Sequence, residues 1–298
     1  MGKPVLLACD WGTTNLRAWT LDDTGGVVAE QDFPLGVSRL APGEAGKRFE
    51  AEVRPALHAA ALPAILCGMV GSNLGWATAP YADCPAGLAD LAKRLTLVAD
   101  GVRIVPGLRC EGLAGAPDVM RGEETQLLGW LAQYPDRQTG RHLVCHPGTH
   151  AKWVLVEDGR IARFVTAMTG ELFAVLRQHS LLKSDAPADD DEAFDAGLAA
   201  AGQGDALAAR LFTARARVVG GKASAESTPS YVSGLLIGAE VAAVPRLLGE
   251  AATHVALLGD AALCDRYRRA LERIGVAAEA FDGEAAAVAG LFALGGAP

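Results

Sequence analysis

Apolar and polar positions along the chain fall into short blocks. Pro4–Cys9 (PVLLAC) is a compact apolar run, Leu16–Leu21 (LRAWTL) alternates, and Val27–Phe33 (VVAEQDF) follows, with turn residues at Asp10–Thr14 and Asp23–Gly26 between them. This spacing predicts three antiparallel strands joined by tight turns. A helical stretch over about 43–61 stops at Pro63 and leads into the apolar strand Ala64–Met69. Strands flanking a helix in this order predict an α/β layer.

The same order returns in the second half. His142–His146 (HLVCH), a Pro147-Gly148-Thr149 turn, Lys152–Glu157 (KWVLVE), an Asp158-Gly159 turn and Arg160–Thr166 (RIARFVT) repeat the opening, with a helix over about 170–179 behind them. Two copies of one unit predict a duplicated fold with the ligand between the copies. From 184 to 221 the chain is acidic and alanine-rich, which predicts short helices on a solvated surface, and Asp189–Glu192 reads as the charged start of one of them. A long apolar helix from Ser230 toward Pro245, a strand His254–Gly259, a helix Ala261–Ile274, a strand VAAEAF and a helix Gly283–Leu294 complete the prediction. No Ser/Pro/Gly-rich linker separates the halves, so two domains sharing a tight hinge are expected.

Composition removes several function classes. The 298 residues suffice for about two domains. Half are apolar, yet no uninterrupted span reaches the roughly 20 residues a membrane helix needs. The first nine residues meet Asp10 before a signal-peptide core is complete, so a cytoplasmic location is expected. With 27 Lys and Arg against 35 Asp and Glu, the net charge is −8 and no basic stripe is present, which argues against nucleic acid or an anionic membrane as partner. Six dispersed cysteines without a C-x-x-C pair predict reduced, buried thiols. His146 and His150 straddle a Pro-Gly turn instead of sharing a helical face, so zinc is not expected. The oligomeric state stays open, a homodimer included.

The sharpest chemical feature is the turn after the first strand. A carboxylate at a strand end, Asp10, followed by Gly12, Thr13 and Thr14, places an acid near a divalent cation, with backbone N–H groups and hydroxyls facing phosphate oxygens. Gly148 and Thr149 provide a second such hairpin. A nucleotide held between two of them is the arrangement of the actin-like sugar kinases, which the sequence resembles.

The resemblance narrows further. Asp10–Arg17 (DWGTTNLR), Gly68–Trp76 (GMVGSNLGW), Met120–Gln126 (MRGEETQ), Cys145–Trp153 (CHPGTHAKW), Met168–Phe173 (MTGELF) and the Gly259-Asp260 pair together resemble the 2-dehydro-3-deoxygalactonokinase family over nearly the whole chain, except about 184–227. The resemblance implies a two-lobed actin-like ATPase (ribonuclease H-like) fold with a cleft between lobes. It also implies transfer of the ATP γ-phosphoryl group to the 6-hydroxyl of 2-dehydro-3-deoxy-D-galactonate with Mg²⁺. Residues 1–118 with the helix 283–298 would bind the sugar acid and phosphates; 119–282 would bind the nucleotide. A nucleotide-dependent regulatory protein of the same fold, or a kinase for another sugar acid, is the alternative.

In roles implied by that family, Asp10 holds Mg²⁺ through water, and Gly12, Thr13, Thr14, Gly148 and Thr149 cradle the phosphates. Lys152 is either a further phosphate ligand or a solvated strand lysine. Gly259, Asp260 and Ala261 open a helix where related kinases hold adenosine, and Gly234 and Gly238 serve either its approach or helix packing. Related glycerol and xylulose kinases carry a Gly-Asp pair before the second hairpin; here Gly122-Glu123-Glu124 stands there, so Glu replaces Asp and is doubled. Adjacent helical residues diverge by about 100°, so one of Glu123 and Glu124 faces the substrate as the base, with Glu123 favoured and Glu171 next in line. Arg17 and Arg121 are candidates for the substrate carboxylate, Arg17 alternatively for a structural ion pair. Ser72 and Asn73 would meet hydroxyls, and Trp76 would form a wall.

Overall fold

A computed structural model describes residues 2–202, 206–249 and 252–296. β1 (Leu6–Trp11), β2 (Leu16–Leu21) and β3 (Val27–Phe33) form the expected antiparallel meander. β1 extends past the apolar run because Asp10 and Trp11 stay in register with Arg17 and Leu16, leaving Gly12–Asn15 as the turn. The helix expected over 43–61 is shorter and composite: α1 (Ala45–Arg48), a π turn Phe49–Val53, and α2 (Arg54–Ala56). Pro55 has no N–H to give residue 51, and the wider turn before it removes that demand. His58, at φ 50°, then ends the helix, and the buried Arg54 guanidinium donates to the carbonyls of Ala59 and Leu62, each at 2.8 Å.

β4 (Ala64–Gly68) runs parallel to β1 and sets Cys67 beside Asp10. Next come β5 (Ala82–Asp83), α3 (Leu88–Ala92), β6 (Thr96–Ala99), β7 (Val102–Ile104), β8 (Leu108–Glu111), β9 (Pro117–Met120) and α4 (Glu123–Gln133). One sheet has the order β3-β2-β1-β4-β7-β6, and β5-β8-β9 form a small separate sheet. Trp11, Leu16, Phe49 and Leu66 belong to the core beneath the first sheet.

β10 (Arg141–His146), β11 (Ala151–Glu157), β12 (Arg160–Ala167), α5 (Thr169–His179), α6 (Asp191–Ala201), α7 (Leu207–Val219), α8 (Thr228–Leu247), β13 (His254–Gly259), α9 (Ala261–Arg273), β14 (Ala277–Asp282) and α10 (Gly283–Gly295) follow. Their sheet, β12-β11-β10-β13-β14, repeats the order β3-β2-β1-β4-β7, as the duplicated pattern predicted. α6 departs from the expected solvated surface, since Ala193, Phe194, Gly197, Leu198 and Ala201 are buried and the helix packs on α8.

The chain forms two compact units. One ends at Arg141, takes back Val156–Arg163 and includes the chain from Asp282 on; the other comprises His142–Leu155 and Phe164–Phe281. The boundary expected after residue 118 lies instead at 141, because α4 packs against α10. The helices nearly touch: a Cβ on Gly129 would overlap the Ala286 carbonyl, and one on Gly290 that of Thr125. Residues 297 and 298, counted with the last helix in the sequence reading, lie outside the described residues. Among the described residues no helix is long and apolar enough to cross a membrane, and no disulfide is present.

Candidate active site

In the first unit the acids gather where β1 and β4 end. Gly68 closes β4 at φ 86°, and a Cβ there would lie 2.8 Å from the Trp11 carbonyl oxygen and 3.2 Å from Asp10 Oδ1. Gly122, at φ 112°, precedes α4, and its Cβ would lie 3.3 Å from Gly68 Cα. Positive φ and this contact together favour glycine at both positions. The start of α4 is thereby brought to the strand ends that carry Asp10.

Glu123 and Glu124 separate as their helical positions require. Glu124 is fully buried; its carboxylate turns back to accept from the Gly122 N–H at 2.7–2.9 Å and from the Thr125 hydroxyl at 3.2 Å. Burial, reinforced by the Glu123 charge, pushes its pKa up to about 8. Glu123 is half-buried, accepts from the Arg121 N–H at 3.1 Å, and its charge acts on Asp10. Asp10 is half-buried; desolvation raises its pKa, Arg17 opposes, and Glu123 and Glu284 add to the rise. The Cys67 thiol lies 3.7 Å from Asp10 Oδ1 as donor.

The other candidates in this unit divide. Arg17 is paired with Asp32 and Glu284. Arg121 donates through Nη2 to the Ala79 carbonyl at 2.7 Å and lies over the Tyr81 ring at 4.4 Å, while its buried Nε and Nη1 have no acceptor. A Cβ on Gly71 would lie 2.8 Å from Nη1, so the glycine loop makes room for the guanidinium. Ser72 is used within its own turn, donating to the Met69 carbonyl and accepting from the Leu74 N–H, while Asn73 is exposed. Trp76 packs on Phe49, with ring centroids 5.5 Å apart. The carbonyls of Gly12, Thr13 and Thr14 accept from the N–H groups of Val37, Ser38 and Gly36, which ties the hairpin to the segment after β3, and Thr13 and Thr14 are exposed.

The second unit holds a pocket of about 570 Å³. Gly148 and Thr149 line it from the hairpin, Thr169, Gly170 and Phe173 from α5, Ser233, Leu236 and Ile237 from α8, and Asp260, Leu263 and Arg266 from around the start of α9. A Cβ on Gly170 would lie 2.5 Å from the Gly148 carbonyl oxygen, so α5 begins directly on the hairpin. The expected Asp260 is on this wall and also caps α9, accepting from the Leu263 N–H at 2.9 Å; Gly259 and Ala261 flank it in the chain. Lys152 is buried instead of solvated, with Nζ donating to the His150 carbonyl. Gly234 and Gly238 face α6, where a Cβ would overlap the Phe194 carbonyl or the Ala201 methyl, so they serve helix packing. Glu171 meets the His150 ring. Thr169 lies in the Met168–Phe173 motif but has no role of its own in the sequence reading; Arg266 and Tyr267 escaped that reading, and their signal was the helical spacing of 263, 266 and 267 behind the Gly-Asp pair.

Among the described residues no three His, Cys, Asp or Glu side chains form a ready-made cation cage. Asp10 with Glu123 nearby suits Mg²⁺, which takes one or two carboxylates and completes its octahedron with phosphate oxygens and water.

Comparison with known proteins identifies the family. The 2-keto-3-deoxy-galactonokinase family matches residues 10–294. Relatives bearing the name 2-dehydro-3-deoxygalactonokinase are 39% identical in Rhizobium meliloti (strain 1021) and 38% identical in Escherichia coli (strain K12), each over 96% of this chain and 95% of its own. A crystal structure from Sinorhizobium meliloti, assigned to the same kinase, superposes with a TM-score of 0.85 at 37% identity, covering 97% of both chains. The activator of 2-hydroxyisocaproyl-CoA dehydratase from Clostridium difficile, at 12% identity and a TM-score of 0.50 over 97% of this chain and 94% of its own, shares the fold alone. The two α/β units, whose sheets repeat one strand order, agree with the fold that the family resemblance implied.

Proposed function

The chain belongs to the 2-keto-3-deoxy-galactonokinase family, and we propose that it transfers the γ-phosphoryl group of ATP to the 6-hydroxyl of 2-dehydro-3-deoxy-D-galactonate. The observation that carries this reading is the Gly68–Gly122 contact, which sets the half-buried Glu123 and Asp10 at one corner of the first unit. Phosphoryl transfer needs little else from the protein than an acid to orient the hydroxyl, charge neutralisation and positioning.

Glu123 accepts the proton of the attacking hydroxyl. Asp10 holds Mg²⁺, which when bound neutralises the phosphate charge. Arg121, whose buried Nε and Nη1 lack acceptors, receives the carboxylate of the sugar acid. Thr13 and Thr14 offer hydroxyls to the phosphates, and the pocket bounded by Thr149, Ile237 and Leu263 takes the nucleotide. A cytoplasmic location goes with this proposal and suits a chain whose cysteines form no disulfide.

Coupled ADP-release measurements across a panel of 2-keto-3-deoxy sugar acids test it. The galacto epimer should give the highest kcat/KM. ATP turnover indifferent to every acid in the panel would replace the kinase with a nucleotide-dependent regulatory protein.

A further inference from the structure

Behind the pocket of the second unit lies a carboxylate that phosphoryl transfer itself does not use. Glu240 is on α8, seven residues after Ser233 and three to four after Ile237 and Leu236, so it continues the helical stripe that lines the pocket by one more turn. It is 5% exposed. Its carboxylate accepts from the Trp153 indole N–H at 2.7 Å, from the Tyr267 hydroxyl at 2.8 Å and from the Thr169 hydroxyl.

These three donors come from three different elements. Trp153 is on β11, four residues beyond Thr149 of the hairpin; Thr169 begins α5; Tyr267 is on α9. Thr169 and Tyr267 themselves line the pocket. A buried carboxylate is costly unless its lone pairs are met, and an apolar residue at this place would strand three buried donors. The network is satisfied in one arrangement of the four elements, the arrangement that shapes the pocket.

We propose that Glu240 is a positioning residue for nucleotide binding: it ties the strand leaving the Gly148-Thr149 hairpin, the start of α5 and the middle of α9 to α8, and so sets the pocket walls before the nucleotide arrives. The proposal rests on the nucleotide reading of this pocket. Pre-organised walls lower the ordering cost of binding, so their loss appears in nucleotide affinity and not in the chemical step.

The test uses the full chain, with ADP binding measured by calorimetry and steady-state kinetics in both substrates. Glu240→Gln keeps the shape but replaces one of the two accepting oxygens with an NH₂, which the Tyr267 or Thr169 hydroxyl can meet only by giving up its own donation. Trp153→Phe removes one donor at a residue outside the pocket lining, and it carries the test alone if Glu240→Gln does not fold. Each is expected to raise the ADP Kd and the ATP KM roughly tenfold, with sugar-acid KM unchanged and kcat at saturating ATP close to wild type. The double variant should be no worse than the worse single one, because both break the same contact. Wild-type ADP affinity in the folded variants, or parallel losses in kcat and sugar-acid KM, would overturn it. Wild-type protein that fails to bind ADP would remove the nucleotide reading and this proposal with it, an outcome distinct from a change confined to the variants.

Discussion

Asp10 and Arg17 stand directly opposite each other on β1 and β2, yet the Arg17 guanidinium is paired with Asp32 on β3 at 3.8 Å and with Glu284 on α10 at 3.4 Å. One cation thus serves a row of acids and leaves Asp10 half-buried beside the Cys67 thiol. Asp10→Asn should lower Mg²⁺-dependent turnover by at least about 10²-fold, with Tm unchanged or slightly raised, since the neutral amide escapes the desolvation that raises the carboxyl pKa. Arg17→Gln should change sugar-acid KM by less than about threefold, because its guanidinium is engaged by Asp32 and Glu284. Near-normal turnover in folded Asp10→Asn protein would remove Asp10 from the mechanism.

Glu123 and Glu124 offer an internal control. Glu123→Gln should reduce kcat on the order of 10²–10⁴-fold with substrate affinity little changed. Glu124→Gln should be mild, since that carboxylate is turned back onto Gly122 and Thr125. Two mild variants would send the search for the base to Glu171.

Glu124 also predicts a pH dependence of stability. Its folded-state pKa of about 8 lies above the unbound value of 4.5, so between these limits the folded protein holds more protons than the unfolded chain. Stability therefore falls as pH rises through that window, by a few kcal/mol at most, on the order of 1.4 kcal/mol per unit. Urea melts at pH 5 and pH 8.5 should differ more for wild type than for Glu124→Gln. Equal differences would mean that Glu124 does not titrate here.

Arg121→Gln should pull stability and binding in opposite directions. Removing a buried guanidinium with two unmet nitrogens is neutral to stabilising, whereas losing the carboxylate partner raises sugar-acid KM on the order of 10–100-fold. The methyl ester of the substrate separates the two: wild type should discriminate against it and the variant should not. An unchanged preference for the acid would assign Arg121 to the loop alone.

Much of this was legible because strand alternation and glycine turns are local signals. The repeated hairpins, and with them Asp10 and Thr149, could be located from six- to eight-residue patterns. The small sheet β5-β8-β9, which brings Ala79 and Tyr81 to Arg121, has strands of two to four residues, too short to alternate visibly. Lys152 stayed open between a phosphate ligand and a solvated strand lysine because alternation cannot tell which sheet face is covered. Gly234 and Gly238 were ambiguous because only the position of α6 shows what their missing side chains admit. Glu240 gave no signal at all, since its three donors are 27 to 87 residues away in the chain.

The α4–α10 contact has a consequence for synthesis. The helix that carries Glu123 rests on Ala286 and Gly290; α10 also reaches β1 and β4, and Arg103 on β7 donates to the Gly295 carbonyl at 2.7 Å. On the ribosome these residues emerge only after the whole second unit, so the N-terminal unit waits for its last helix with an apolar groove open on α4. A chain interrupted anywhere before Gly283 would lack the helix on which α4 rests, however complete its sheets.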